Sequence, residues 1–106
     1  MTDVKRSQVF FAILQGIEGA KPYVIVSNNN RNRNLKTYLG VRVTTTVKPA
    51  MRSIVVLPGK KECVSGRVLC DDITLLYEDE LNRSVGYLSP ATMRQVDSAL
   101  AAALSL

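Results

Sequence analysis

Chemistry in this chain has to use lysine, arginine, hydroxyl or carboxylate groups, because its 106 residues include no histidine. Nucleophilic triads of the Ser-His-Asp or Cys-His kind are therefore excluded, as is acid–base catalysis by imidazole. Cys63 and Cys70 are too few for a disulfide framework, and without histidine a Cys/His zinc site is implausible. We expect both cysteines to be small buried residues of strands.

The cation with the most restricted backbone is Lys21, which opens the stretch Lys21–Asn28. Pro22 locks its own φ and biases Lys21 towards an extended conformation. The run Tyr23–Val26 is β-branched and aromatic, which predicts one short buried strand. A charge at the start of a rigid strand is well placed for function. An ordinary solvated lysine before a core strand would give the same pattern.

A second group of candidate residues lies in Thr37–Thr46, which has the composition of a strand. Period-two alternation places Arg42 and Thr44 on one face and Val41 and Val43 on the other. A guanidinium and a hydroxyl on one face are a mild indication of a site, although exposed threonines are also common in strands.

The third group is the polar segment Ser27–Asn34, with five asparagines and two arginines in eight residues. This composition predicts a surface loop. The amide of Asn28 and the guanidinium groups of Arg31 and Arg33 could bind phosphates and base edges. A solvated turn explains the same residues equally well.

These groups must be positioned by several short strands and one helix. Ser89 as N-cap and Pro90 at the first helical position predict a C-terminal helix. Its apolar stripe is expected at Met93, Val96, Leu100, Ala103 and Leu104. The remaining elements are predicted as strands over 8–14, 53–57, 66–70, 73–77 and 85–88, with a polar turn or short helix over 78–83. This pattern favours a single domain over 1–106, mainly β, built as a small antiparallel β barrel with a C-terminal helix.

Composition limits the setting and the partners of the chain. Hydrophobic residues make up 46% of it, so it can bury a core, and no apolar run approaches the roughly 20 residues that span a bilayer. The N-terminus lacks the apolar segment of a signal peptide, so we expect a cytoplasmic protein without membrane contact. Residues 1–67 hold 12 Lys/Arg and 3 Asp/Glu (+9), whereas 68–106 hold 2 and 6 (−4). A basic front half suits a polyanion such as nucleic acid, although it could also be a generic basic surface.

Five stretches, in order along the chain, resemble the MazF/PemK/Kid-type toxins of bacterial toxin–antitoxin systems. They are Lys5–Phe11, Lys21–Asn28 (the family's Arg-Pro, apolar run, Ser-Asn), Val41–Thr45 (its Val-Pro-Val-Thr-Ser/Thr), Ser65–Asp72, and Gly86–Ser89 with Val96–Leu100. Each motif alone is weak, but their common order over nearly the whole chain is fairly specific.

The resemblance implies a homodimeric SH3-like β barrel that cleaves single-stranded RNA without a metal or other cofactor. In such an enzyme the 2′-hydroxyl attacks the adjacent phosphorus and leaves a 2′,3′-cyclic phosphate and a 5′-hydroxyl. The resemblance also implies a cognate antitoxin, which we expect to place an acidic C-terminal segment across the basic groove.

The resemblance further assigns roles to individual residues. The family's catalytic arginine falls on Lys21, its catalytic threonine on Thr44, and the carboxylate that acts as base in some members on Asp71. RNA-binding roles are expected for Thr45, Asn28, Arg31, Arg33 and Arg42. Lysine in place of arginine is not a conservative change, because it lacks the bidentate fork. The loop over 15–20 is shorter than is usual in the family.

Two alternatives stay open. The related CcdB toxins share the fold and bind DNA gyrase, but their resemblance to this chain depends on aromatic C-terminal residues, and this chain has no tryptophan. A catalytically weak family member that mainly binds antitoxin or RNA is the other alternative, and the change at Lys21 is the reason to consider it.

Overall fold

The computed structural model describes residues 3–106, which form one antiparallel sheet and two helices. The strands are β1 (Gln8–Ala12), β2 (Lys21–Ile25), β3 (Thr37–Thr44), β4 (Ile54–Val56), β5 (Arg67–Tyr77) and β6 (Leu81–Tyr87). Helix α1 spans Asn29–Leu35 and helix α2 spans Pro90–Leu104, while short 3-10 turns occupy Gly59–Lys61 and Glu78–Glu80. The predicted mainly β fold with a C-terminal helix is confirmed.

The six strands pair in the order β4-β5-β3-β2-β1-β6, and every pairing is antiparallel. Strands β4 and β6 end this order, so in the described residues strand pairing does not close the sheet into the expected barrel. Both faces of the central strands are buried, because alternate residues such as Val24 and Tyr23 enter two separate apolar clusters.

Helix α2 covers the first cluster, as the sequence predicted. The side chain of Ser89 accepts a hydrogen bond from the Thr92 N–H, and Pro90 follows at the first position of the helix. Met93, Val96 and Ala99 are buried against the sheet. The stripe ends earlier than predicted, because Leu104 is 54% exposed at the last turn.

The segment after β2 is a helix, so the prediction of a loop over 27–34 was wrong. The Asn28 side chain accepts a hydrogen bond from the Arg31 N–H at 2.8 Å and caps α1. Asn32, predicted to be unable to pack in a core, is buried, and its amide donates to the Ser27 carbonyl at 3.0 Å. Pairwise hydrogen bonds between short polar side chains and backbone therefore replace apolar packing here.

Two further predictions need correction in the C-terminal half. The strands predicted on either side of Asp71-Asp72 are one strand, β5, in which Val41 lies opposite Ile73 and the next residue, Arg42, lies opposite Leu69. The residues between Leu69 and Ile73 form a bulge, which is why the sequence reads as an interruption. Cys70 is buried as expected, but Cys63 is exposed in the loop after the first 3-10 turn.

Among the described residues, neither helix is long and apolar enough to cross a bilayer.

Candidate active site

A groove of about 440 Å³ opens where β2 begins and β3 ends. Two short segments, one from each strand, meet there with the first residues that follow β3 and with the loop that precedes β5. The lining residues are Phe11, Ala20, Lys21, Pro22, Arg42, Val43, Thr44, Thr45, Thr46, Val64 and Ser65. Four of the predicted site residues, Lys21, Arg42, Thr44 and Thr45, are therefore brought together in one groove.

The pairing of β2 with β3 explains why Lys21 and Thr44 meet. Tyr23 opposite Arg42 is the last pair of the antiparallel ladder, and Lys21 and Thr44 lie two residues beyond it on the two strands. Alternation puts Lys21 on the face of Tyr23 and Thr44 on the face of Arg42, so both continue the same face of the sheet. The ion pairs within residues 3–106 are Lys5–Asp3 and Arg6–Asp97, so the charge of Lys21 is not neutralised by a carboxylate partner there.

The hydroxyl of Thr44 is oriented by the backbone that follows it. The Thr46 N–H donates a hydrogen bond to Thr44 Oγ1 at 3.1 Å, which occupies an acceptor position of the oxygen. The hydroxyl proton is left to be donated elsewhere. Thr44 is thus suited to donate a hydrogen bond to an anionic ligand in the groove.

Gly66 brings the loop before β5 against Thr44. Its φ is +115°, and a Cβ built at this position would lie 2.3 Å from the Thr44 carbonyl oxygen. That distance is far below van der Waals contact, so only glycine permits this approach. Gly66 lies in a stretch that resembles the family but was given no role, because nothing in the sequence shows that this loop returns to β3.

Arg42 contributes a second, partly buried cation to the groove. Its Nε has no hydrogen-bond partner within the described residues. The neighbouring Tyr23 is buried, which raises the pKa of its hydroxyl, while the positive charge of Arg42 opposes that rise. This Nε is buried, so Arg42 would meet an anion in the groove through the terminal amino groups of its guanidinium.

Asp71 is not part of this groove. It is exposed on the bulge of β5 and lines a different depression of about 1120 Å³, together with Arg52, Ser53 and the C-terminal end of α2. The structure of one chain therefore does not bring the predicted base to Lys21 and Thr44.

The polar residues around α1 are also outside the groove. Asn28 is occupied as the helix cap, and Arg31 donates to the Thr37 carbonyl at 2.8 Å, which ties α1 to the start of β3. Arg33 lies in the last turn of the helix. Unlike Arg31, it is exposed to solvent.

Phe11, Val64 and Ser65 are groove residues that sequence reasoning missed. Phe11 and Ser65 lie in stretches that resemble the family but were given no role of their own, and Val64 was not singled out. Within residues 3–106 no group of three or more Cys, Asp or Glu side chains is arranged to hold a metal ion. The metal-free reaction stays a prediction.

Comparison with known proteins identifies the family. Residues 5–104 match the family of PemK-like, MazF-like toxins of type II toxin–antitoxin systems. The chain is 42% identical over 88 residues to endoribonuclease MazF1 of Mycobacterium bovis and to endoribonuclease MazF4 of Mycobacterium tuberculosis, which covers 83% of this chain and 82% of each relative.

Solved structures agree with these relatives. A mycobacterial endoribonuclease in complex with its cognate antitoxin superposes with a TM-score of 0.89 at 41% identity, over 97% of this chain and 96% of that one. A second mycobacterial endoribonuclease gives 0.88 at 40% identity, over 100% and 95%. MazF of Deinococcus radiodurans, at 18% identity and a TM-score of 0.81, shares the fold. The family model spans nearly the whole chain and the relatives exceed 40% identity, so the chain belongs to the PemK-like, MazF-like toxins of type II toxin–antitoxin systems, as its sequence predicted.

Proposed function

We propose that this MazF-type endoribonuclease toxin cuts single-stranded RNA in the groove between β2 and β3, by attack of a 2′-hydroxyl on the adjacent phosphorus. The enzyme class and the toxin family are confirmed by the family match and the curated relatives. The observation that carries the choice of site is the groove beyond the end of the β2–β3 ladder, which Lys21, Arg42 and Thr44 line together.

In this reaction the 2′-oxygen bonds to phosphorus and the bond from phosphorus to the 5′-oxygen breaks. The products are a 2′,3′-cyclic phosphate and a 5′-hydroxyl, so one proton leaves the 2′-oxygen and one reaches the 5′-oxygen. Negative charge grows on the non-bridging oxygens in between. Fixed donors and cations aimed at those oxygens lower the barrier.

The groove residues divide this work by their chemistry. Lys21 neutralises the phosphorane and is the cation able to give a proton to the leaving oxygen. The Thr44 hydroxyl, oriented by the Thr46 N–H, donates to a phosphoryl oxygen. Arg42 binds a neighbouring phosphate through the charge and terminal amino groups of its guanidinium. The proposed RNA contacts of Thr45 and Arg33 extend this path beyond the reacting phosphate.

The role of Asp71 as base stays a prediction, because in one chain it lines the other depression. The experiment on function therefore includes it as a separate variant.

Cleavage of long RNA in EDTA tests the site. The wild-type chain is expected to give discrete cuts with 5′-hydroxyl ends, and Lys21→Ala and Thr44→Val are each expected to lower the rate about 100-fold. Thr44→Ser is the matched control, because it keeps the hydroxyl and should retain most activity. Equal loss in Thr44→Ser and Thr44→Val would contradict the hydrogen-bonding role. An unchanged rate in Asp71→Asn would exclude Asp71 as the base.

We further propose a homodimer, a cognate antitoxin with an acidic C-terminal segment, and action in the cytoplasm. The antitoxin proposal is supported by the toxin family and by the antitoxin bound to the mycobacterial relative. Sedimentation at micromolar concentration checks the dimer, and the mass of a single chain would contradict it.

The gyrase-binding alternative is not favoured by the relatives, which are endoribonucleases. A catalytically weak member would bind RNA in this groove without cutting it, and the cleavage experiment separates that case.

A further inference from the structure

Phe11 is the one residue of β1 that is not fully buried, and it forms one wall of the groove. The other four residues of the strand are core residues. An aromatic ring left partly open beside Lys21 and Thr44 is unusual for a strand that is otherwise packed on both faces. Its open face is therefore a candidate contact for whatever enters the groove.

Arg83 lies over that ring. Its Cζ is 5.0 Å from the centroid of the Phe11 ring, within the range of a cation–π contact. Arg83 is exposed in β6, and neither ion pair within residues 3–106 involves it. The guanidinium is thus held on the aromatic ring, with its second face and its donors still available.

The groove brings Phe11 of this stacked pair close to the proposed catalytic residues, because Phe11 lines it together with Lys21 and Thr44. Phe11 lies opposite Arg83 on one side and opposite Pro22 on the other, so the three side chains form a row across β6, β1 and β2. The next pair along, Ala12 opposite Lys21, belongs to the other face of the sheet, so Phe11 and Lys21 border the groove from different faces where β2 begins.

We propose that the Arg83–Phe11 pair is a nucleobase-binding subsite next to the scissile phosphate. A flat guanidinium on an aromatic ring offers a planar surface on which an unpaired base stacks, and its free N–H groups reach the edge of that base. The subsite therefore binds one base flanking the cut and contributes to the choice of cleavage sequence. This inference rests on the proposed ribonuclease function and adds a specificity residue to it.

The test is a binding cycle with an oligoribonucleotide that carries the mapped cleavage sequence. A 2′-deoxy sugar at the attacking nucleotide prevents cutting, and a scan places one abasic nucleotide at each position in turn. Arg83→Lys keeps the charge but removes the planar surface. Arg94→Lys is the matched control, because Arg94 is an exposed arginine on α2 that lines a different depression.

At one position beside the cut, the abasic substitution is expected to weaken wild-type binding about tenfold, within the range of one base stacked on an aromatic surface. Arg83→Lys should weaken binding of the intact oligonucleotide by a similar factor and have no effect on the oligonucleotide that is abasic at that position. The preference for that base in cleaved RNA should relax in parallel. Arg94→Lys should change none of these quantities.

If Arg83→Lys and the abasic substitution weaken binding independently of each other at every position, the proposed subsite is wrong. The proposed ribonuclease function would not be affected by that result. If the two substitutions are coupled in binding as expected but the wild-type protein does not cleave RNA, the proposed reaction is wrong and the subsite stands. Phe11→Leu is a second variant that should show the same coupling. If Phe11→Leu does not fold, Arg83→Lys decides the outcome, because its side chain is at the surface.

Discussion

Gly66 adopts a φ of +115°, and its backbone lies against the carbonyl of Thr44. The position of Thr44 therefore depends on a residue without any functional group. Thr44 is at the end of β3, where strand pairing no longer holds the chain on both sides. Thr44 still pairs with Arg67 of β5 but has no partner on β2, and the loop that contains Gly66 adds a contact on the β5 side.

We expect Gly66→Ala to reduce RNA cleavage by more than its effect on stability explains. The added Cβ would meet the Thr44 carbonyl oxygen at 2.3 Å, so the backbone of Thr44 has to shift. A positive φ in a residue with a side chain also costs about 1–3 kcal/mol. Cleavage rates and thermal melting of the same preparations measure the two effects separately.

Gly16→Ala is the control for Gly66→Ala. Gly16 also has a positive φ, +83°, but a Cβ there would meet nothing within 4 Å. It should lower stability by a similar strain and leave the cleavage rate of the folded protein unchanged. Equal loss of activity in both variants would mean that Thr44 does not depend on the contact.

At the scale of single residues, the sequence predicted the strand positions of Lys21, Thr44 and Arg42, because two-residue alternation and a proline determine where they lie, while their roles stay predictions. It failed for Gly66 and Phe11. Their contribution depends on contacts between segments that are distant in sequence, and no local pattern encodes such contacts.

At the scale of elements, the loop over 62–66 is tied to helix α2 through one carboxylate. Glu62 accepts hydrogen bonds from the Ser89 N–H at 3.0 Å and from the Ser89 hydroxyl at 2.7 Å, and it accepts a third from the Thr92 hydroxyl at 2.5 Å. Ser89 is the N-cap of α2, so the helix and the groove wall share this carboxylate. A displacement of the start of α2 should therefore also displace the loop over 62–66.

The pKa of Glu62 should make this tie sensitive to acid. Burial raises that pKa, but the hydrogen bonds from Thr92 and Ser89 outweigh burial and leave the pKa below its ordinary value. A lowered folded-state pKa stabilises the protein above the unfolded-state pKa, and that stabilisation is lost as the pH falls through the folded-state value. We expect Glu62→Gln to lower the free energy of unfolding at pH 7 by about 1–2 kcal/mol.

Denaturant unfolding of both forms at pH 7 and below pH 4 checks the expectation for Glu62. The difference between wild type and Glu62→Gln should shrink at the lower pH, because the wild-type carboxyl is then protonated as well. Glu18→Gln is the control, since Glu18 is exposed in the loop between β1 and β2. A difference that is independent of pH would contradict the role of the charged form.

Strands and the capped helix α2 could be predicted because their patterns are local. Helix α1 could not, since its asparagines favour turns by propensity. The helix forms because Asn28 caps it and Asn32 bonds into the buried Ser27. The β5 bulge could not be predicted either. It is stabilised by pairing with β3 and β4, whereas the sequence at this point shows only two acidic residues.

At the scale of the whole molecule, the charge of the chain is less divided in space than along the sequence. The front half carries +9, but Arg6 pairs with Asp97 of the acidic half and Lys5 pairs with Asp3. Lys21 and Arg42 of the groove do not take part in these pairs. Most other front-half cations, such as Lys36, Lys48 and Lys60, also lie outside these pairs, so the groove holds part of the positive charge that is free to meet RNA.

Binding of an uncleavable, 2′-deoxy-substituted RNA should consequently weaken with salt, and the cations of the groove should contribute to the slope. Each phosphate contact on a single strand releases counterions and adds about −0.7 to the slope of log K against log salt concentration. Lys21→Ala is expected to make the slope less negative by about that amount. Arg94→Gln removes an equal charge from α2, outside the groove, and should leave the slope unchanged.

The same change in both variants would show that net charge, not the groove, binds RNA. Binding that does not respond to salt would contradict phosphate recognition and favour a protein target such as gyrase.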